Sequence, residues 1–406
     1  PDFGEFFGEL SRLREQDSDL DRLCRNKEYE ISLPFESSRG CWWHDKCPCA
    51  FCGINRDYEY RLKSPKNTLS VFEAYRSRYD THSFIATDAN LSMTYFDEFL
   101  PRLGEAFPDG AIRVFYCMKT NMTRAQVKAL ADAGVRMVQP GIESLSNHVL
   151  QLMHKGASAM QNIFFLKCIR QYGIAPFWNL LLGTGGETAE DCREVAELIP
   201  KLTHLSPPHT DPILVRVHRY SEYWKNPEVR LDDMKPSRRY ELLFPEDFDL
   251  DRLAYDFDAE WKDISEELLE ARETVIGATL EWLRRWQKEQ PQDWPDLRLV
   301  NGGTEIRDTR MDKTVKISLD PKEAAIYSLL DDIVAETPLL ERAAKVQALK
   351  NVPGEEIMKI LDSFVEHGLA LQSGKTYLGL ALREDAREKA GEEAEKKTRR
   401  QDVQVA

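Results

Sequence analysis

The chain has 406 residues, room for two or three domains at about 100–200 residues each. Acids outnumber bases 69 to 55, and a formal charge of −14 argues against a nucleic-acid or anionic-membrane binder, since either needs a basic face. With 42% apolar residues and eight Trp the chain can bury a large core, and no apolar run approaches the roughly 20 residues of a spanning helix, so disordered and membrane-spanning classes fall away.

Residues 1–30 carry apolar side chains at helical spacing (Phe6, Phe7, Leu10, Leu13, Leu20, Leu23) and read as a helical connector. Strand-like runs then recur at Ile31–Phe35, Phe84–Ala86, Ile112–Tyr116, Met137–Pro140, Phe177–Leu182 and Ile213–Val217. Helical patterns lie between them at Thr68–Tyr79, Thr94–Ala106, Thr123–Ala133, Ala159–Tyr172 and Ala189–Leu202. Thr123 and Thr188 suit helix N-caps, and Gly134 and Gly173 stand just past helix ends. This alternation predicts an α/β fold with a parallel sheet over residues 31–220, either open and doubly wound or an incomplete β/α barrel.

Residues 221–296 read as an extension in which 222–260 show no strand period and 262–289 form a long amphipathic helix. Residues 297–383 read as a separate α+β unit of winged-helix order. A hairpin-like stretch at Leu297–Leu319 precedes helices at Pro321–Ala335, Leu339–Leu349 and Glu355–His367, and a hairpin turns at Ser373-Gly374. Asp320-Pro321-Lys322-Glu323 is a capping box with proline at the first helical position, and Gly368 stops the third helix. That third helix bears Glu355, Glu356, Asp362 and Glu366 against Lys359, the wrong sign for DNA; strand addition of a leader peptide at the wing's edge is the mode of recognition it leaves open. Residues 384–406 read as a charged tail.

The chemistry concentrates in Cys41-Trp-Trp-His-Asp-Lys-Cys47-Pro-Cys49-Ala-Phe51-Cys52-Gly53, immediately after the first strand. In parallel β/α architectures active sites are built at that end of the strands. Four thiols within 12 residues point to zinc or an iron–sulfur cluster. A structural zinc site takes paired hooks from two segments, and a second hook is missing because Cys117, Cys168 and Cys192 stand alone in strands or helices. Three thiolates on a 4Fe–4S cluster would leave one iron open, a catalytic arrangement. The aromatic pair Trp42-Trp43 suits a shield that keeps water off such a cluster. Polar residues at or near the following strand ends, Asp88, Asn90, Lys119, Asn121, Glu143, Ser144 and Asn179, can converge on one ligand. Gly183–Thr188 lacks the lysine of a phosphate loop.

These residues resemble the radical S-adenosylmethionine (SAM) enzymes, whose usual hook is Cys-x3-Cys-x2-Cys with an aromatic before the last Cys. Here Cys49-Ala50-Phe51-Cys52 supplies the second half, and Asp45 stands where the first Cys is usual. The segment Glu36-Ser37-Ser38-Arg39-Gly40-Cys41-Trp42-Trp43 with Cys49-x-Phe51-Cys52-Gly53 is similar to the RiPP maturation radical SAM protein 1 family, maturases of ribosomally made peptides that carry the longer spacing. Gln139-Pro140-Gly141-Ile142-Glu143-Ser144-Leu145-Ser146, Met153-x-Lys155-Gly156, Trp178-Asn179-Leu180-Leu181, Gly183-x-x-Gly186-Glu187-Thr188 and Leu202-Thr203-His204-Leu205 extend the likeness over about residues 1–260. It implies a partial (β/α)6 TIM-like barrel and a 4Fe–4S cluster on Cys41, Cys49 and Cys52, with Cys47 the alternative first ligand. It also implies SAM held by residues drawn from Phe51, Asp88, Asn90, Lys119, Glu143, Ser144 and Asn179. The implied activity is C-methylation of a precursor peptide, with a cobalamin carried by a domain upstream of Pro1 and a reductant such as flavodoxin or ferredoxin, in the cytoplasm. Cobalamin-independent crosslinking or epimerisation is the alternative within the family, and an iron–sulfur redox-sensing regulator the alternative outside it. Neither nucleic acid nor membrane is an expected partner.

Overall fold

The computed structural model describes residues 1–25, 31–54, 59–108, 110–226, 231–262, 264–288, 290–311 and 313–384. The expected charged tail from 385 onward, and the end of the connector at 26–30, lie outside the described residues. The connector is two helices, α1 (Gly4–Gln16) and α2 (Ser18–Arg25). Five parallel strands follow in sequential order: β1 (Ser32–Phe35), β2 (Ser83–Ala86), β3 (Arg113–Met118), β4 (Val135–Pro140) and β5 (Ala175–Pro176). Their crossovers are α3 (Pro65–Tyr79), α4 (Phe99–Ala106), α5 (Arg124–Asp132), and the pair α6 (Asn147–Leu152) and α7 (Ala159–Gln171). Thr123 closes a capping box on α5, and Ser158 does the same on α7, so the loops enter these helices at fixed angles. Gly134 and Gly173 leave α5 and α7 with left-handed φ of 86° and 68°.

The apolar run Phe177–Leu182 is not one strand. Phe177 N still donates to Val138 O (2.7 Å), but Trp178 turns inward and its indole donates to Ser206 O (3.2 Å). Pairing resumes with a parallel bridge between Glu143 and Leu180, then β6 (Leu181–Leu182) beside β7 (Ile213–Leu214). Helix α8 (Ala189–Leu202), capped by Thr188 in a capping box, lies between them.

Residues 222–260, which show no strand period, hold two strands. The strands β8 (Val217–His218), β9 (Leu231–Pro236) and β10 (Asp256–Trp261) make an antiparallel sheet in the order β8-β10-β9. The period is hidden because Asp232 and Asp233 are both exposed and the register shifts between Asp232 and Lys235. The long helix α9 (Glu266–Trp286) packs against α8, its Trp282 and Trp286 indoles donating to Leu205 O (2.9 Å) and Thr203 O (2.7 Å). The buried Arg272–Glu187 pair (2.8 Å) ties α9 to the Gly183–Thr188 turn, where Glu187 also accepts from Gly183 N (3.0 Å). That glutamate is a structural clasp.

The stretch Leu297–Leu319 forms three strands, β11 (Leu297–Val300), β12 (Glu305–Asp308) and β13 (Val315–Ser318). Helix α10 (Pro321–Ser328) starts at the expected Asp320 capping box but stops seven residues short of Ala335. Its chain turns instead into β14 (Val334–Ala335), which pairs with β16 (Thr376–Gly379); this tertiary pairing overrides helix propensity. Helices α11 (Glu336–Ala343) and α12 (Gly354–Glu366) and the hairpin of β15 (Ala370–Ser373) with β16 complete the unit. A last strand, β17 (Leu382–Arg383), runs parallel to β11. Among the described residues no helix is long and apolar enough to cross a membrane.

One continuous core links this unit to the parallel sheet. His204 lies inside it, its Nε2 3.0 Å from Leu380 O, and burial together with nearby Arg310 pushes it down to about 3. Because the folded state refuses a proton that the unfolded chain accepts near pH 6.5, stability is full above that pH and falls as pH drops toward 3, by about 1.4 kcal/mol per unit. Urea unfolding is therefore expected to show His204 costing about 2 kcal/mol between pH 7 and pH 5. A His204→Gln protein should lose less stability by that amount over the same interval.

Candidate active site

Each strand end delivers polar groups to the same edge of the parallel sheet. The loop after β1 carries the cysteines, the loop after β2 Asp88 and Asn90, that after β3 Lys119, and that after β4 Glu143 and Ser144. Lys119 is buried, its Nζ 3.8 Å from the Trp43 ring centroid and donating to Lys155 O. Burial and the neighbouring Lys155 bring its pKa down to about 8, against the pull of the Cys49, Cys41 and Cys47 thiols. Glu143 holds a left-handed φ of 59° and pairs with Lys155 Nζ at 3.2 Å. The Lys155 ammonium also sits 5.7 Å from the Phe51 ring centroid.

Cys41, Cys49 and Cys52 act on one another electrostatically. Burial pushes Cys52 up to about 11, and its Cys49 and Cys41 neighbours add to that. Burial also raises Cys49, against the pull of Lys155 and Lys119. Asn90 Nδ2 stands 3.8 Å from Cys41 Sγ, while its buried Oδ1 has no hydrogen-bond partner among the described residues. Cys47 is held in a turn by its own N–H to Trp43 O (2.8 Å). Asp45, where the usual hook has its first Cys, accepts instead from Tyr60 N (3.1 Å).

The structure brings Phe51, Lys119 and Glu143 together around the cysteines. Asp88 is otherwise engaged: its carboxylate accepts from Ser37 N (2.8 Å), Ser37 Oγ and Ser38 Oγ (2.9 Å), so it fixes the chain just before Cys41. Ser144 is buried and accepts from Ser146 N (3.1 Å) at the start of α6. Asn179 is half-buried and makes no side-chain hydrogen bond among the described residues. Trp42 and Trp43 are clamps, their indoles donating to Leu91 O (3.0 Å) and His154 O (3.1 Å). Tyr223 is buried against Trp261 and closes a small second core that includes Ala50. The residue that the sequence left without a role is Lys155; it appears there only within a motif, and nothing local reveals that it reaches back beneath the cysteine loop.

Residues 35–199 match the family model described as the radical SAM superfamily. Those residues form a radical SAM domain. The bacteriochlorophyllide d C-8(2)-methyltransferase of Chlorobaculum tepidum is 25% identical over 232 residues, 53% of this chain and 50% of its own. The chain thus spans about half the length of that relative. Among solved structures, the radical SAM methyltransferase TsrM from Kitasatospora setae, with tryptophan and a SAM analog bound, has a TM-score of 0.46 at 15% identity, covering 63% of this chain and 52% of its own. The cobalamin-dependent SAM radical enzyme OxsB, with aqua-cobalamin and SAM bound, has a TM-score of 0.44 at 15% identity, covering 86% of this chain and 51% of its own.

A radical SAM domain is an enzyme's, and implies a 4Fe–4S cluster and SAM. The donor set fits a cluster: Cys49 and Cys52 each feel Cys41, and soft thiolate ligands of this kind suit iron–sulfur clusters. The raised Cys49 and Cys52 thiols fit too, since burial disfavours their thiolates until a cationic metal core displaces the protons.

Close packing holds the radical SAM domain's cysteine loop. Gly156 has a φ of 60°, and a Cβ there would land in the Trp43 ring. A Gly156→Ala protein is expected to lose about 1–2 kcal/mol from left-handed backbone alone, and to displace Trp43 as well. Its thermal midpoint and its iron content after reconstitution should both fall.

Proposed function

We propose that this chain is a radical SAM enzyme that modifies an unactivated carbon of a ribosomally made peptide, most directly by C-methylation with a methyl group carried on cobalamin. The carrying observation is that Cys41, Cys49 and Cys52 share one cationic neighbourhood at the C-terminal edge of a parallel sheet. The radical SAM match and the methyltransferase relative support the reading. In it the parallel strands are a partial barrel over residues 31–220, 221–296 extend it, and 297–383 are a winged-helix-like unit that takes a leader peptide at the edge of β15.

A 4Fe–4S cluster held by Cys41, Cys49 and Cys52 would supply the electron for reductive cleavage of SAM. The chain's own residues bind, orient and exclude water. The Glu143 carboxylate and the Asn90 Oδ1 acceptor suit the SAM ammonium, and an acceptor left buried without a donor is costly until one arrives. Lys119 suits its carboxylate, Asn179 and Ser144 its hydroxyls, and Phe51 its adenine. Asp88 acts at one remove by fixing the loop. The methyl carrier in this reading is a cobalamin, and the electron comes from a flavodoxin- or ferredoxin-type donor in the cytoplasm.

Anaerobic reconstitution followed by reduction with SAM tests the core of this. The expected result is about four iron and four sulfide per chain and release of 5′-deoxyadenosine. An intact cluster that leaves SAM uncleaved would reject it. A gain of about 14 Da on a co-expressed precursor peptide is the mark of methyl transfer.

A further inference from the structure

The turn that follows α6, Met153–Gly156, touches the cysteine loop and its surroundings at every residue. Ala50 N donates to Met153 O (3.1 Å), Trp43 Nε1 to His154 O (3.1 Å) and Lys119 Nζ to Lys155 O. Gly156 lies against the Trp43 ring. His154 and Gly156 have φ values of 56° and 60°, so the turn is tight and bent on both sides of Lys155. The Lys155 side chain is buried beneath the loop between Glu143 and Phe51, and Gly141 keeps room for it, since a Cβ there would stand 2.8 Å from Nζ.

A buried ion pair is a poor way to gain stability, because desolvation offsets most of its attraction. Its value here lies in its direction. Lys155 pairs with Glu143 while Lys119 donates to the Lys155 carbonyl, so two ammoniums and one carboxylate leave this side of the loop with one net positive charge. The Lys155 ammonium lies 5.7 Å from the ring centroid of Phe51, which stands between Cys49 and Cys52 in the chain, and Ala50 N is bonded to Met153 O, so the charge sits against the segment that carries both cysteines. A cluster gains one negative charge on reduction, and a fixed cation nearby favours that form.

We propose that Lys155 is a positioning residue for the cluster: the 153–156 turn fixes the cysteine loop through its carbonyls and holds the Lys155 ammonium beneath Cys49 and Cys52, where it makes the cluster easier to reduce. This rests on Cys41, Cys49 and Cys52 being the cluster ligands. It assigns Glu143 a second effect of opposite sign.

The test is an EPR-monitored redox titration of reconstituted protein without SAM, with iron, sulfide and thermal melts measured on each variant. Lys155→Met/Glu143→Gln removes both charges and leaves no orphaned carboxylate. The two charges removed are opposite in sign, and Lys155 is the one held against the 49–52 segment, so the double variant's reduction equilibrium constant is expected to fall about threefold, ~28 mV for a one-electron couple. Lys155→Arg keeps the charge and should leave the potential at the wild-type value. Glu143→Gln alone leaves both ammoniums and should move the potential the other way, which a merely structural role would not do. An unshifted potential in the double variant at wild-type iron content overturns the inference alone, as does a Glu143→Gln shift of the same sign. A wild-type protein that holds no cluster overturns it together with the proposed function.

Discussion

Replacing Cys41, Cys49 or Cys52 with alanine is expected to abolish cluster retention and to cut 5′-deoxyadenosine formation by at least about 10³-fold, ~4 kcal/mol of lost transition-state stabilisation. Cys47→Ala should retain both. The contrast rests on where the sulfurs stand. Cys49 and Cys52 each feel Cys41, and Asn90 Nδ2 lies 3.8 Å from the Cys41 sulfur, placed to donate to a thiolate. Donors of that kind tune a cluster and typically change affinity or activity by about 10–100-fold when removed, so Asn90→Ala should fall between the two outcomes. Cys47 lies within the turn closed on Trp43 O, and among the cysteines acting on Lys119 it ranks after Cys49 and Cys41. The 400-nm absorbance and iron content of the four alanine variants check the assignment; loss of the cluster in Cys47→Ala with retention in Cys41→Ala would reverse it.

Much of the α/β frame was legible because its signals are local. Thr123, Thr188 and Asp320 announce helices through capping boxes that the backbone then adopts, and Gly134, Gly173 and Gly368 end helices in the left-handed region. What stayed hidden depends on distant partners. The strands β9 and β10 carry charged residues on an exposed face and a bulge, so no alternation shows. Helix α10 ends at Ser328 because Tyr377 and Thr376 recruit the next residues into a sheet. At the site, the cysteine loop could be placed from its position after β1 alone. Asp88 and Lys155 could not be told apart by spacing: both are buried polar residues near a strand end or turn, yet the carboxylate of Asp88 is taken up by Ser37 and Ser38 while the Lys155 ammonium lies beneath the cysteines. Sequence shows which groups are present; only the fold shows which are already satisfied.

The largest effect on stability is expected from breaking, at Asp331, the ion pair that this residue forms with Lys167 of α7, far from the cysteines. The Lys167 ammonium is buried and spends its donors on three acceptors of the C-terminal unit: Asp331 O (3.0 Å), Asp331 Oδ1 (3.0 Å) and Gly379 O (2.7 Å). Asp331 in turn pairs with Arg124 (3.1 Å) and Arg383 (2.9 Å), so one carboxylate gathers three cations across the junction of the two parts. Burial alone would raise that carboxyl; Lys167, Arg124 and Arg383 outweigh it and hold it below its usual value. The sign follows: its contribution is present above the ordinary carboxylate pKa and is lost as pH falls through the lowered one. Lys167→Met removes the ammonium and leaves Asp331 partly compensated by two arginines, whereas Asp331→Ala strands a fully buried ammonium. Breaking a buried pair from one side costs about 3–5 kcal/mol, so Asp331→Ala should reach that range in denaturant unfolding and Lys167→Met should cost less. Because the junction also carries the Gln171–Arg383 backbone bonds and the His204–Leu380 contact, its weakening should show as a second unfolding transition for the C-terminal unit. A single transition at unchanged midpoint in Asp331→Ala would mean that the two parts are held together by their shared apolar core alone.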